Sequence, residues 1–138
     1  MAESRILRFR ELPEIDRGTG VRTRLLVSRE LGAEGLTTGI THFAPGAEIA
    51  RHWHNCDESV VILEGEAVCE INGQYFPMRQ YDTTFVPANV PHRFLNQSDK
   101  PMAILWIYAA GYVTRTFADT GVTVEHLSTD DRATLSAD

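Results

Sequence analysis

The sequence predicts an all-β fold, a sandwich or barrel of short strands. Three observations carry this: β-branched and aromatic residues recur in short runs, turn-forming Gly, Pro, Asn and Asp punctuate those runs at regular intervals, and helical periodicity is weak throughout. At 138 residues the chain has the size of one domain around one core. Its 43% hydrophobic and 23% charged residues are an ordinary globular composition, which excludes collagen-like, disordered and coiled-coil classes.

Taken in order, residues 5–9 alternate Arg5, Leu7 and Phe9 with Ile6 and Arg8, the pattern of a first strand, and a turn-rich stretch follows from Pro13 to Gly20. Residues 21–28 are a second strand candidate. Residues 37–44 are rich in β-branched side chains and stop at the turn dipeptide Pro45-Gly46. Residues 60–63 form a β-branched run closed by Gly65. Residues 67–71 and 74–78 meet across Asn72-Gly73, the strongest two-residue hairpin signal, because both central positions of a type I′ turn need positive φ. Residues 83–86 end at Pro87, Phe94-Leu95 leads into a polar loop, and residues 102–109 are apolar on both faces, as in a fully buried strand. Residues 129–135 are expected to form a short C-terminal turn of helix.

Thirteen Lys and Arg against nineteen Asp and Glu leave a formal charge of -6, which repels phosphate backbones and anionic lipid, so neither nucleic acid nor a membrane is an expected partner. Residues 101–113, the longest uncharged run of the C-terminal half, are too short and too broken by Gly111 to span a bilayer. The first ten residues carry Glu3, Arg5, Arg8 and Arg10 with no apolar segment, so no secretory signal is read there and a cytoplasmic, reducing setting is expected. Cys56 and Cys69 match no C-x-x-C spacing and are expected to be free thiols.

The chemistry concentrates between Gly46 and Gly65. Five residues separate Gly46 from His52, one separates His52 from His54, three separate His54 from Glu58, and six separate Glu58 from Gly65. Residues two apart on a strand share a face, so His52 and His54 present two imidazoles side by side. A tight connection through Asn55, Cys56 and Asp57 returns Glu58 to the same cavity at the head of the next strand. The segment from Pro87 to Pro91 is a rigid turn that delivers His92 as a fourth group. Three imidazoles and a carboxylate suit a first-row divalent metal and leave positions open on a six-coordinate ion, unlike a closed structural site.

This stretch resembles the first motif of the cupin superfamily, G-x5-H-x-H-x3-E-x6-G, at every position. The second motif, G-x5-P-x-G-x2-H-x3-N, is met by Pro87, His92 and Asn96, with Tyr81 and Asn89 in place of its two glycines. Asn is the best non-glycine occupant of left-handed backbone, so Asn89 can keep its turn. Tyr81 is the clearer departure and leaves the turn before Asp82 open. The resemblance implies a double-stranded β-helix, the jelly-roll barrel of small single-domain cupins. It also implies His52, His54, Glu58 and His92 as ligands to one divalent transition metal per chain. The hard and borderline donors favour Fe, Mn, Ni, Zn or Cu, with iron preferred because three histidines, one glutamate and two open sites suit Fe(II) and dioxygen.

The expected organisation is residues 1–35 as N-terminal strands packing on or swapping with a partner subunit, 36–112 as the barrel and 113–138 as a C-terminal extension, the whole forming a homodimer. On the strand of residues 102–108, Met102, Ile104, Trp106 and Tyr108 share one face, which makes Trp106 and Tyr108 candidate pocket walls. His42 is a further pocket candidate, although its strand parity favours an outward position. His126 is read as a surface residue, and Trp53 is expected to face away from the two flanking histidines.

Cupins include dioxygenases, decarboxylases, isomerases, cyclases, lyases and binding modules, so the reaction does not transfer with the fold. The expectation is a dioxygenase-type oxidoreductase acting with Fe(II) on a small oxygen-rich metabolite. The alternatives are a redox-neutral isomerase, cyclase or lyase, and a non-catalytic metal or small-ligand binder.

Overall fold

Residues 2–134, which the computed structural model describes, carry twelve short strands. In chain order these are β1 (Ile15–Gly18), β2 (Val21–Leu25), β3 (Thr37–Phe43), β4 (His52–His54), β5 (Glu58–Glu64), β6 (Ala67–Ile71), β7 (Gln74–Met78), β8 (Thr83–Val86), β9 (His92–Leu95), β10 (Met102–Tyr108), β11 (Thr114–Phe117) and β12 (Thr123–Glu125). They build two six-stranded antiparallel sheets, ordered β1-β2-β3-β10-β5-β8 and β12-β11-β4-β9-β6-β7. The architecture is a double-stranded β-helix.

The period of two decides what lies inside. Along β3, Thr37, Gly39, Thr41 and Phe43 are buried; along β5, Glu58, Val60 and Ile62 are buried, and the residues between them are more exposed. Phe43, Ile62, Phe94, Met102 and Ile104 join the interior cluster, and each such side chain contributes about 1.5–3 kcal/mol on leaving water. β10 sits centrally between β3 and β5, which is why its sequence is apolar on both faces. Where β10 crosses β3, Trp106 lies opposite Gly39. A Cβ on Gly39 would come within 2.0 Å of the indole, so the glycine is required by close approach.

Two tight hairpins pin the register. Asn72 and Gly73, at φ 50° and 82°, join β6 to β7 as their dipeptide predicts. Thr19 and Gly20, at φ 52° and 86°, join β1 to β2 by the same device. Residues 5–9 accordingly do not form the expected first strand: the first strand begins at Ile15, inside the stretch read as turns. The alternation at residues 5–9 finds no neighbouring strand, and Phe9–Glu11 is a single 3-10 turn. β1 and β2 extend the first sheet beyond β3, with Thr23 opposite Thr41.

The expected helical turn at residues 129–135 is not formed in its described part. Residues 129–134 make turns and bends, and Leu135 lies outside the described residues. Asp131 there is committed to buried side-chain contacts that fix a non-helical path. Tyr81 and Asn89 both adopt positive φ, 72° and 67°, so the left-handed turns survive without glycine. Among the described residues no helix is long and apolar enough to cross a membrane.

Candidate metal centre

Both sheets contribute to one cluster. β4 supplies His52 and His54, β9 supplies His92 directly opposite His52, and β5 supplies Glu58 from the facing sheet. The four side chains are at most 3% exposed, and one ligand atom from each lies within 4.8 Å of the others. The imidazole centroids are 4.5 to 5.5 Å apart.

Hydrogen bonding fixes which nitrogen of each ring is free. Nδ1 of His52, His54 and His92 lies 2.8, 2.9 and 2.9 Å from the carbonyl oxygens of Ala50, Thr114 and Val90. A carbonyl only accepts, so each Nδ1 carries the proton and each Nε2 turns a lone pair inward. His54 Nε2 and His92 Nε2 then face Glu58 Oε2 and Oε1 at 3.4 and 3.0 Å, and these buried nitrogens have no hydrogen-bond donor. Lone pairs held this close to a carboxylate repel unless a cation lies between them. The donor set therefore fits a divalent metal, with the backbone carbonyls orienting the rings from behind.

The surroundings favour the ligating forms of His52, His54 and Glu58. Burial, reinforced by Arg115, holds His52 well below the usual imidazole range, and burial likewise lowers His54. Burial alone would raise Glu58, but His92 and His54 outweigh it and keep the carboxyl well below its ordinary value. His92 shows the converse: burial opposes its protonation, yet the Glu58 carboxylate raises it.

Trp106 and Tyr108 both face this interior. Together with Thr41, Val60, Arg115 and His126 they help line a cavity of about 20 Å³ beside His52 and Glu58, space for about one water. Trp106 donates its indole N–H to Thr41 Oγ1 at 2.8 Å, and its ring stacks on Tyr108 at 4.9 Å. Burial, with Glu58 nearby, pushes the Tyr108 phenol well above its usual range, so it stays protonated and able to donate. His42 is not brought to the site. Its parity on β3 is outward, as the sequence favoured, and its ring packs near Phe9, 6.1 Å between centroids. Trp53 is half-buried, with its two flanking histidines buried on the other parity. Cys56 and Cys69 are free and buried, and burial pushes their thiols to about 11 and about 12, which leaves them unreactive at neutral pH.

The surface reading of His126 is overturned. Its ring stands edge-on against Trp106 and Tyr108 at 5.0 Å each and lies 6.1 Å from His54. The strand β12 folds back beside β11, the His126 backbone N–H donates to the Val113 carbonyl, and the residue lines the inner cavity. Burial pushes its pKa well below the usual range, so the imidazole is neutral.

A buried ionic group behind the cluster also escapes the sequence. Arg17 Nη2 donates to Asp131 Oδ1 at 3.0 Å, and Arg115 Nε forms an ion pair with the same oxygen at 2.9 Å. Arg115 Nη1 is 3.5 Å from His52 Nδ1. Asp131 Oδ2 accepts from Leu127 N–H at 2.7 Å, which ties the segment carrying His126 to the barrel. The only signal in the sequence was an arginine at an inward position of β1 and another on β11; their shared partner lies 114 residues from Arg17.

With fold and site in place, the class is settled. The chain belongs to the cupin family, whose Cupin domain matches residues 39–108. Among characterised proteins it is similar to the polyketide synthase CurC of Streptomyces cyaneus, 32% identical over 98 residues, covering 70% of this chain and 63% of that protein. The chain thus spans less than two thirds of that relative's length. Among solved structures it is similar to a cupin sugar phosphate isomerase from Silicibacter pomeroyi, with a TM-score of 0.70 and 19% identity, covering 91% of this chain and 98% of that one. A salicylate 1,2-dioxygenase from Pseudoaminobacter salicylatoxidans in complex with gentisate gives a TM-score of 0.61 at 16% identity, over 68% of this chain and 26% of that one. At these identities the solved structures speak to the fold alone.

Proposed function

We propose that this protein is a metal-dependent cupin enzyme acting on a small oxygen-rich molecule, and that it is a dioxygenase-type oxidoreductase using Fe(II). The observation that carries the reading is the convergence of imidazole lone pairs on the Glu58 carboxylate at 3.0 and 3.4 Å, with no protein donor to relieve them. His52, His54, Glu58 and His92 would hold one divalent metal per chain. Such an ion supplies Lewis-acid polarisation of a substrate oxygen, and iron adds the redox chemistry of dioxygen.

The chain's own groups do the rest. The carbonyls of Ala50, Thr114 and Val90 fix the imidazole tautomers. Trp106 and Tyr108 form an apolar wall that excludes water. The protonated Tyr108 hydroxyl can donate to a substrate oxygen, and Arg115 brings positive charge to that side of the cavity, which favours an ionised enol or phenol oxygen. No Ser-His-Asp or Cys-His pair competes for the chemistry among the residues lining the cavity.

A redox-neutral cyclase, isomerase or lyase is the second reading, favoured by the likeness to CurC, named a polyketide synthase. Dioxygen uptake by the Fe(II)-loaded protein, followed across diketones, catechols and polyphenols, separates the two. Uptake stoichiometric with substrate loss is expected. Conversion under argon without uptake transfers the assignment to the redox-neutral reading, and no turnover with any metal leaves a binding module.

We further infer a homodimer working in the cytoplasm, with residues 1–35 and 113–138 flanking the barrel of residues 36–112. Two free buried thiols accord with a reducing compartment. The terminal strands β7 and β8 leave Tyr75, Phe76 and Phe85 between 43% and 66% exposed, a face that a second copy would cover.

A further inference from the structure

The inner cavity beside His52 and Glu58 has space for about one water, so in this conformation nothing larger can stand at the cluster. A far larger recess, of about 430 Å³, lies against it, bounded by the stretches before β1, after β2 and around β12. Its walls mix Leu12, Leu31 and Leu127 with Arg29, Glu30 and Glu125 and select no single chemistry. Among the described residues that line the two spaces, only His126 lines both. It is the partition between them.

The segment that carries this partition is lightly held. From residue 118 to residue 130 no residue is fully buried, whereas Phe117 and Asp131 at its two ends are 1% and 3% exposed. β12 lies at the end of its sheet and pairs with β11 alone. The His126 ring rests edge-on against Trp106, Tyr108 and His54. Next to it Leu127 holds φ 63°, a left-handed conformation that a non-glycine residue disfavours, so the closed path is strained. On the outside, the exposed pair of Arg29 and Glu125, at 3.2 Å, ties β12 to the segment after β2. A stretch with little buried surface between two firm anchors opens locally at low cost.

We propose that residues 118–130 form a hinged strap, anchored at Phe117 and Asp131, and that the His126 ring is its plug between the recess and the cluster. Lifting β12 and His126 joins the two spaces and admits a molecule larger than water; lowering them shuts that molecule in and keeps bulk water out. Asp131, fixed by Arg17 and Arg115, also accepts from the Leu127 N–H, which makes the turn between Leu127 and Asp131 the firm end of the strap. The proposal rests on the four-residue cluster being the working centre, and one arm of its test needs no metal.

Acrylamide quenching of tryptophan fluorescence reads the gate without metal. Trp106 is buried beside His126, and replacing the chain's other tryptophan as Trp53→Phe leaves Trp106 as the reporter. A site reached only through a minor open state is reached in proportion to that state's population. Quenching of Trp106 behind the intact strap should accordingly be weak. His126→Ala leaves a hole where the ring stood and should raise the quenching constant about fivefold or more, whereas His126→Phe refills the hole and should stay within about twofold of the parent. Glu125→Lys faces Arg29 on the exposed side, away from the inner cavity, and should raise quenching about twofold, since a surface pair is worth little. Thermal melts of each variant establish folding, and Glu125→Lys keeps the test open if His126→Ala does not fold. With the same proteins loaded with zinc, capture of the metal by dipicolinate should accelerate in the same order.

Equal quenching in the parent, His126→Ala and Glu125→Lys, or parent quenching already as strong as that of free tryptophan, would overturn the strap. Quenching raised as much by His126→Phe as by His126→Ala would overturn the role of the ring as a plug. A protein that binds no zinc yet shows the expected quenching series discards the metal-centre reading and leaves the strap standing. Zinc held by all the variants and captured at one rate, with unchanged quenching, discards the strap and leaves the metal centre.

Discussion

At the scale of single residues, the most consequential group after the four clustered ones is Asp131. Its side chain has no exposure and faces two guanidiniums. Burial would raise its pKa, but Arg115 and Arg17 outweigh it and hold the carboxyl below its ordinary value of 3.8. A carboxylate whose pKa falls on folding stabilises the fold fully above its unfolded value, and that contribution is lost as the pH drops through the folded value. Asp131→Asn leaves both arginines buried without their counter-charge and should cost about 3 kcal/mol or more at neutral pH in a denaturant titration. The difference between wild type and variant should shrink as the pH falls below 3.8. A constant difference across that window would contradict the electrostatic account. The histidines of the cluster were legible because strand parity and spacing alone place them, whereas Asp131 and His126 were not: both lie in a segment without regular alternation, positioned by contacts from β1, β10 and β11.

At the scale of elements, strand periodicity was a reliable guide wherever a strand had a neighbour on both sides. β3 and β5 alternate buried and more accessible positions along their length, β10 between them is largely buried on both faces, and the Asn72-Gly73 turn joins the strands it was expected to join. The alternation in residues 5–9 misled because a periodic segment becomes a strand only when a sheet edge is free to receive it. That edge is taken by β1 and β2, through a hairpin that the Gly18-Thr19-Gly20 run encoded and that was read only as turn. The turn between β7 and β8 is a place where sequence and geometry disagree: Tyr81 is 71% exposed and holds φ 72°. A non-glycine residue pays roughly 1–2 kcal/mol for that conformation, and this side chain recovers little by burial. Tyr81→Gly should therefore raise stability by about 1 kcal/mol with metal content unchanged, read as a shift in the denaturation midpoint. A loss of stability would show that the phenol ring has a packing role, as in a subunit contact.

At the scale of the whole molecule, the two sheets do different work. The second sheet carries the three imidazoles and the first carries Glu58, Trp106 and Tyr108, so the centre exists only while the sheets face each other. Metal binding should consequently stabilise the entire barrel, since only the folded state assembles all four ligands. The exposed aromatics of β7 and β8 predict a dimer in light scattering at micromolar protein, and a monomer there would discard the proposed assembly. The reaction itself is a property of the pocket contents, which strand patterns do not encode.

The central claim is that His52, His54, Glu58 and His92 hold one metal, and elemental analysis of purified protein tests it most directly. The wild type should carry about one divalent transition metal per chain, and His54→Ala and His92→Ala, each removing one inward Nε2, should lose most of it while remaining folded. Equal metal content in the wild type and both variants would contradict the assignment.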